Sequence, residues 1–304
     1  MNRDTPKRIS ELGIRNFALE KFYQRIVLKK QRFHGEGSYS SISDDDNWVG
    51  FCNFVSIDDQ TFQKFRRYMV LHDVLEHVTF QTANLYLEMI KPRFEVSEIS
   101  HLARNFDQIG DPFKFNFKSV GKASSLFFRY LKVASDIKIL FGDKFNSVAE
   151  IGVGFGGQIQ LLNQLVSVDE YHLFDLPSVQ KMATKYLNLN QIWKINSDTL
   201  QSKPENDYDL IISNFAFSEL KRVHQEQYFS QVIERSRCGY ITWNHLSEQF
   251  LDGMNIDELI SRKPDIAVVS EHLSPTVTNQ ILVWGVKNLD RLWALSGSNR
   301  RPTD

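Results

Sequence analysis

Residues 148–158 read Val-Ala-Glu-Ile-Gly-Val-Gly-Phe-Gly-Gly-Gln and carry the densest chemical signal in the chain. A glycine-rich turn that opens a helix sets backbone N–H groups and the positive end of the helix dipole against a ligand. Gly152 permits the tight turn, and Gly154 lets backbone approach a bound group. Roughly 20 residues on, a second apolar run ends at Asp175, whose carboxylate can accept both hydroxyls of a ribose. The spacing fits two patterns at once. Gly152, Gly154 and Gly157 satisfy GxGxxG, the dinucleotide fingerprint; Gly152, Gly154 and Gly156 satisfy the looser GxGxG of adenosyl-methionine sites.

Glu150 bears on the choice. An acid inside the strand just before the loop suits a ligand with cationic groups, such as the amino group and sulfonium of S-adenosylmethionine (SAM), and is unfavourable beside a pyrophosphate. An internal salt bridge is its structural alternative.

The elements that must position these residues follow from periodicity. From about residue 147, short apolar runs alternate with amphipathic stretches. The runs are 148–151, 171–176, 192–195, 208–213, 239–243, 266–270 and 281–286, with helices expected over 156–166, 178–187, 222–236 and 255–262. Such alternation predicts a parallel sheet with crossover helices. Only residues 271–280 separate the last two runs, too few for a parallel return, so an antiparallel hairpin is expected there. NAD domains usually keep six parallel strands, which again favours SAM.

Residues 1–145 read as mainly helical. Ser56 is expected to cap one helix, a second is expected over about 73–90 before Pro92, and Ser124–Phe141 repeats its apolar residues at helical spacing. Residues 35–47, with the run Asp44-Asp45-Asp46, read as a solvated loop, and the last nine residues as a loose tail.

Three further segments complete a recognisable set: Phe174-Asp175-Leu176-Pro177, Asp209–Leu220 (DLIISNFAFSEL) and Gly239–Asn244 (GYITWN). With the EIGVGFGGQ loop they resemble class I SAM-dependent methyltransferases. Within these they are most similar to the sugar O-methyltransferase family of bacterial surface-polysaccharide clusters. Ile109–Pro112 and Arg129-Tyr130 add to the likeness, which runs from about 105 to 287; Val153 and Phe155 depart from the family's Gly and Tyr.

The resemblance implies an α/β fold: a Rossmann-like, seven-stranded doubly wound sheet with a C-terminal antiparallel hairpin, plus an N-terminal helical cap. The expected domains are a helical cap and substrate region (1–120), a SAM-dependent methyltransferase domain (121–290) and a tail (291–304). It implies that Glu150, Gly152, Gly154 and Gly156 approach the methionine part of SAM and that Asp175, flanked by Leu176, holds the ribose. Asp198 reads equally as a contact to the adenine amino group or as a turn or cap residue, and Asn214 as a contact to the methionine part or the acceptor. Arg129, Tyr130, Phe217 and Asn244 are candidates for acceptor binding.

A sugar hydroxyl is a poor nucleophile while protonated, so a positioned base helps the transfer. Glu219 is the first candidate, as base or as orienter of the hydroxyl; His245 and His224 compete, and Glu219 orienting a histidine is a further arrangement.

The 304 residues balance 36 basic against 37 acidic side chains, which argues against a dedicated nucleic-acid binder. Cys52 and Cys238 form no CxxC or zinc spacing. No compact carboxylate or histidine motif suggests a metal, and none is expected. No segment approaches a membrane span, and residues 1–17 lack an apolar leader core, so the cytoplasm is expected. The partner is expected to be a small-molecule or glycan substrate. Apolar helix faces in the first hundred residues could serve a homo-oligomer. The rival readings are an NAD-dependent oxidoreductase and a noncatalytic SAM-fold subunit of a glycosylation complex.

Overall fold

The computed structural model describes residues 28–200, 207–245, 248, 250–274 and 277–286. Two short strands, β1 (Phe115–Phe117) and β2 (Gly121–Ala123), form an antiparallel ribbon. Seven more form one sheet: β3 (Lys144–Ile151), β4 (Ser167–Phe174), β5 (Ile195–Asp198), β6 (Tyr208–Asn214), β7 (Ser236–Trp243), β8 (Ala267–Ser274) and β9 (Val277–Trp284). Their spatial order is β5-β4-β3-β6-β7-β9-β8. The first five are parallel, and β9 runs antiparallel between β7 and β8. This is the doubly wound, seven-stranded Rossmann-like sheet with a C-terminal hairpin that the sequence led us to expect.

Period-two alternation explains the two covered faces. Ile241 and Trp243 of β7, with Leu282 and Trp284 of β9, join a core with Phe229, Val232, Ile233 and Leu259 from the helices after β6 and β7. Tyr240, pointing the other way, donates from its hydroxyl to Asp136 on the helix Ser125–Phe141 at 2.8 Å. The strand order reverses between β3 and β6, where ligands of open α/β sheets bind, at the carboxyl ends of the strands.

The described residues divide into two compact units, one drawn from 1–32 and 57–132, the other from 33–56 and 133–304. The division differs from a boundary at residue 120, because residues 33–56 fall in the sheet unit and residues 121–132 in the other. Lys185 Nζ on the helix Pro177–Leu189 donates to Ser56 O at 3.2 Å, which ties down the helix Asp46–Ile57. That helix ends where Ser56 was expected to begin one; Asp58 caps the next turn by accepting from Thr61 N. Within the first unit, Arg66 is buried beneath Phe106 and held by Glu76, Asp107 and the Ser124 hydroxyl.

Among the described residues no helix is long and apolar enough to cross a membrane. The tail 291–304 lies outside the described residues.

Candidate active site

The ends of β3, β4 and β6 are locked to one another. Gly152 N donates to Phe174 O at 2.8 Å. Ser213 Oγ donates to Ile151 O at 3.0 Å and accepts from Phe217 N at 3.0 Å. Gly152 takes φ +78°, and a Cβ there would stand 2.0 Å from the Ala216 Cβ. A side chain is thus excluded both by the left-handed backbone and by the turn behind it. Gly156, at φ +91°, opens the helix Gly157–Leu165.

Glu150 is 2% exposed, and its Oε2 is buried without a hydrogen-bond partner. Asn214, at the end of β6, hydrogen-bonds this carboxyl, and its Nδ2 donates to Gln158 Oε1 at 3.3 Å. The Asn214 Oδ1 is likewise buried and unpartnered. Unpaired buried acceptors are costly, and a ligand bearing N–H donors, above all an ammonium, would answer both. A pyrophosphate would set further acceptors against them. Burial, reinforced by the Asp175 charge, pushes the Glu150 carboxyl well above the usual range.

Asp175 follows β4 and accepts from Leu176 N at 2.8 Å and from Gly154 N at 3.2 Å. Burial pushes its carboxyl up to about 7 despite these N–H groups, and Asp44 adds to the rise. Asp44 is no solvated loop residue. It is 3% exposed and accepts from the Ser38 and Ser40 hydroxyls and from both their backbone N–H groups. The strap it knots together pairs with the turn after β6: Lys221 N donates to Ser40 O at 2.9 Å and Ile42 N to Glu219 O at 3.3 Å.

Asp198 ends β5, and its Oδ2 lies 2.5 Å from His172 Nδ1. Burial alone would lower the imidazole value, but the hydrogen bonds and charges of Asp198 and Glu170 together outweigh it and hold His172 above its ordinary value. The Asp198 side chain keeps 25% exposure. It is therefore an ion-pair partner on the sheet.

Beyond β6, Phe215 takes φ +68° and leads into the tight turn Ala216–Glu219. Glu219 Oε1 accepts from Asn244 Nδ2 at 2.6 Å, while Ser218 Oγ accepts from Asn244 N at 3.2 Å. His245 Nδ1 sits 2.8 Å from Glu248 Oε1, which also accepts from Trp243 Nε1 at 3.2 Å. Glu219 thus pairs with Asn244, and the carboxylate beside His245 is Glu248. His224 is half-buried on the helix Arg222–Tyr228.

Two of the residues expected to bind an acceptor are packing residues. Phe217 is fully buried, with its ring 6.0 Å from that of Trp243. Tyr130, 4% exposed, packs edge-on against Phe106 in the first unit. Arg129, 6% exposed and also of the first unit, donates to Leu75 O and lies over the Tyr130 ring. Sequence reasoning missed Asp44, Gln158 and Glu248. Only the i, i+3 spacing of Glu248 from His245 could have signalled one of them.

No protein-family model matches the chain, and no match is found among curated proteins. Solved structures do resemble it. One is an O-methyltransferase family protein from Burkholderia thailandensis, at 11% identity and TM-score 0.39, covering 53% of this chain and 56% of that one. Another is the N-methyltransferase NodS from Bradyrhizobium japonicum in complex with S-adenosyl-L-homocysteine, at 12% identity and TM-score 0.41, covering 54% and 88%. A third is human N-acetylserotonin methyltransferase in complex with SAM, at 12% identity and TM-score 0.38, covering 54% and 52%. The chain spans about half the length of the Burkholderia and human proteins.

Proposed function

We propose that the chain is a SAM-dependent O-methyltransferase that acts on a sugar hydroxyl of a nucleotide sugar or surface glycan. The observation that carries the reading is the pair of buried, unanswered acceptors, Glu150 Oε2 and Asn214 Oδ1, beside the glycine turn. They suit the ammonium end of SAM and disfavour the pyrophosphate of NAD. The sugar as acceptor rests on the EIGVGFGGQ, SNFAFSEL and GYITWN motifs.

When bound, SAM supplies a methyl group already activated on a cationic sulfur. Glu150 and Asn214 hold its ammonium end, and Asp175 takes the ribose hydroxyls. Asp198 offers the part of its carboxylate not spent on His172 to the adenine amino group. His245 is the general base. Its Nδ1–H is assigned to the Glu248 carboxylate from the hydrogen-bond pattern, which leaves Nε2 to take the acceptor's proton. Glu219, steadied by Asn244, orients the acceptor hydroxyl. Alignment of oxygen and methyl supplies much of the rate.

The test is transfer of label from methyl-radiolabelled SAM to a panel of nucleotide sugars and glycan extracts. Label on a sugar oxygen, reduced in His245→Ala, is the expected result. Label on amines, or on none of the panel, overturns the sugar assignment.

A further inference from the structure

Three carboxyl groups gather at the site from three parts of the chain: Glu150 on β3, Asp175 after β4 and Asp44 on the strap. Asp44 is satisfied by four donations from Ser38 and Ser40. Asp175 accepts from the backbone N–H groups of Gly154 and Leu176, and the Val153 backbone adds to them. Glu150 has the poorest provision, with one oxygen sealed from water and unbonded.

Asp175 and Asn214 on β6 act on Glu150, whose charge in turn reaches Tyr171 on β4. Asp44 acts on Asp175, whose charge in turn reaches Cys52 on the helix Asp46–Ile57 and Tyr228 on the helix Arg222–Tyr228. Each of these neighbours is an acid or a neutral polar group. Neighbouring carboxylates that share a buried site do not all ionise.

We propose that in the free protein Glu150 carries a proton on its buried carboxyl, and that a ligand ammonium seated beside it expels this proton, so that Glu150 selects ligands by charge. The inference rests on the SAM reading above and deepens it. In the step, the carboxyl O–H bond breaks, the proton passes to solvent, and the carboxylate left behind pairs with the ammonium. No electrons are exchanged. The elevated Glu150 and Asp175 values agree with a proton held in this pocket at neutral pH. An adenosine compound lacking the methionine amine leaves the Glu150 proton in place, and the pocket discriminates against it.

Isothermal titration of the full chain with SAM, in two buffers of different ionisation enthalpy, counts the protons released. Release of about one proton per ligand is expected, with affinity for SAM rising up to about tenfold per pH unit. The range to use lies below the roughly 7.7 at which an α-amino group itself titrates. In Glu150→Gln, similar in shape but without the titrating group, the proton given up by Glu150 and its share of the pH slope are expected to disappear while SAM still binds. 5′-Methylthioadenosine, which keeps the ribose but lacks the amine, is expected to bind the wild-type protein more weakly and to release no more protons from it than from Glu150→Gln. Asp44→Asn leaves Glu150 untouched, so the release persists if the assignment is right. SAM binding with no proton released, or with the same release from Glu150→Gln, overturns the inference and leaves the SAM reading standing. Absence of SAM binding to the wild-type protein overturns both.

Discussion

Asp175 and His245 are the residues whose environments make the sharpest demands. The Asp175 carboxyl stands at about 7 in the fold, against an ordinary value of 3.8. Between those values the folded state binds more protons than the unfolded chain, so stability of the ligand-free protein falls as pH rises through that window. Asp175→Asn removes this contribution. Thermal unfolding followed across the window is expected to give a flatter Tm–pH slope for the variant than for the wild type; equal slopes would place the titrating group elsewhere. For His245, loss of a general base costs about 10²–10⁴ in rate. His245→Ala is expected to lower kcat on that scale with SAM affinity unchanged, measured by single-turnover transfer and titration. The residues nearest the glycine turn were legible because their signal is local: Glu150 and Gly152 lie in one stretch, and Asp175 ends the next strand. Asp44 was illegible for the converse reason. Its partners Ser38 and Ser40 are near in sequence, but a polar acidic run reads as solvated until the strap is seen pairing with Glu219 and Lys221.

At the scale of elements, the site depends on strand ends held at fixed separations. Ser213 does this with one hydroxyl, bridging Ile151 O on β3 and Phe217 N in the turn after β6. Ser213→Ala removes both of these buried hydrogen bonds, at a cost of about 1–3 kcal/mol. Chemical denaturation is the check, and the loss is expected to be accompanied by weaker SAM binding because Gly152 packs on the same turn at Ala216. The strands were readable from their apolar runs, and the hairpin from the shortness of residues 271–280; β8 and β9 extend into that stretch, to Ser274 and from Val277. Helix 222–236 was read as continuous, whereas the α-helix ends at Tyr228 and a π turn covers Phe229–Ile233. Periodicity cannot register that change, since the apolar residues Phe229, Val232 and Ile233 keep helical spacing through it.

At the scale of the whole chain, the sheet unit recruits residues 33–56 from a region the sequence assigned to a cap. Composition gives no warning of this. The helix Asp46–Ile57 buries Trp48, Phe51, Cys52 and Val55 as any cap helix would, and only the tertiary bonds of Lys185 and the strap show which body it joins. The candidate site thereby has a wall that the strand–loop motifs alone do not supply.

The most direct test of the account is calorimetric titration of the wild-type chain with SAM, S-adenosylhomocysteine and NAD, repeated with Asp175→Ala. The account predicts that SAM and S-adenosylhomocysteine bind, that NAD does not, and that Asp175→Ala weakens both adenosyl ligands. Binding of NAD in preference to SAM, or no heat from either adenosyl ligand at about millimolar concentration, the weak end of specific affinity, would contradict it.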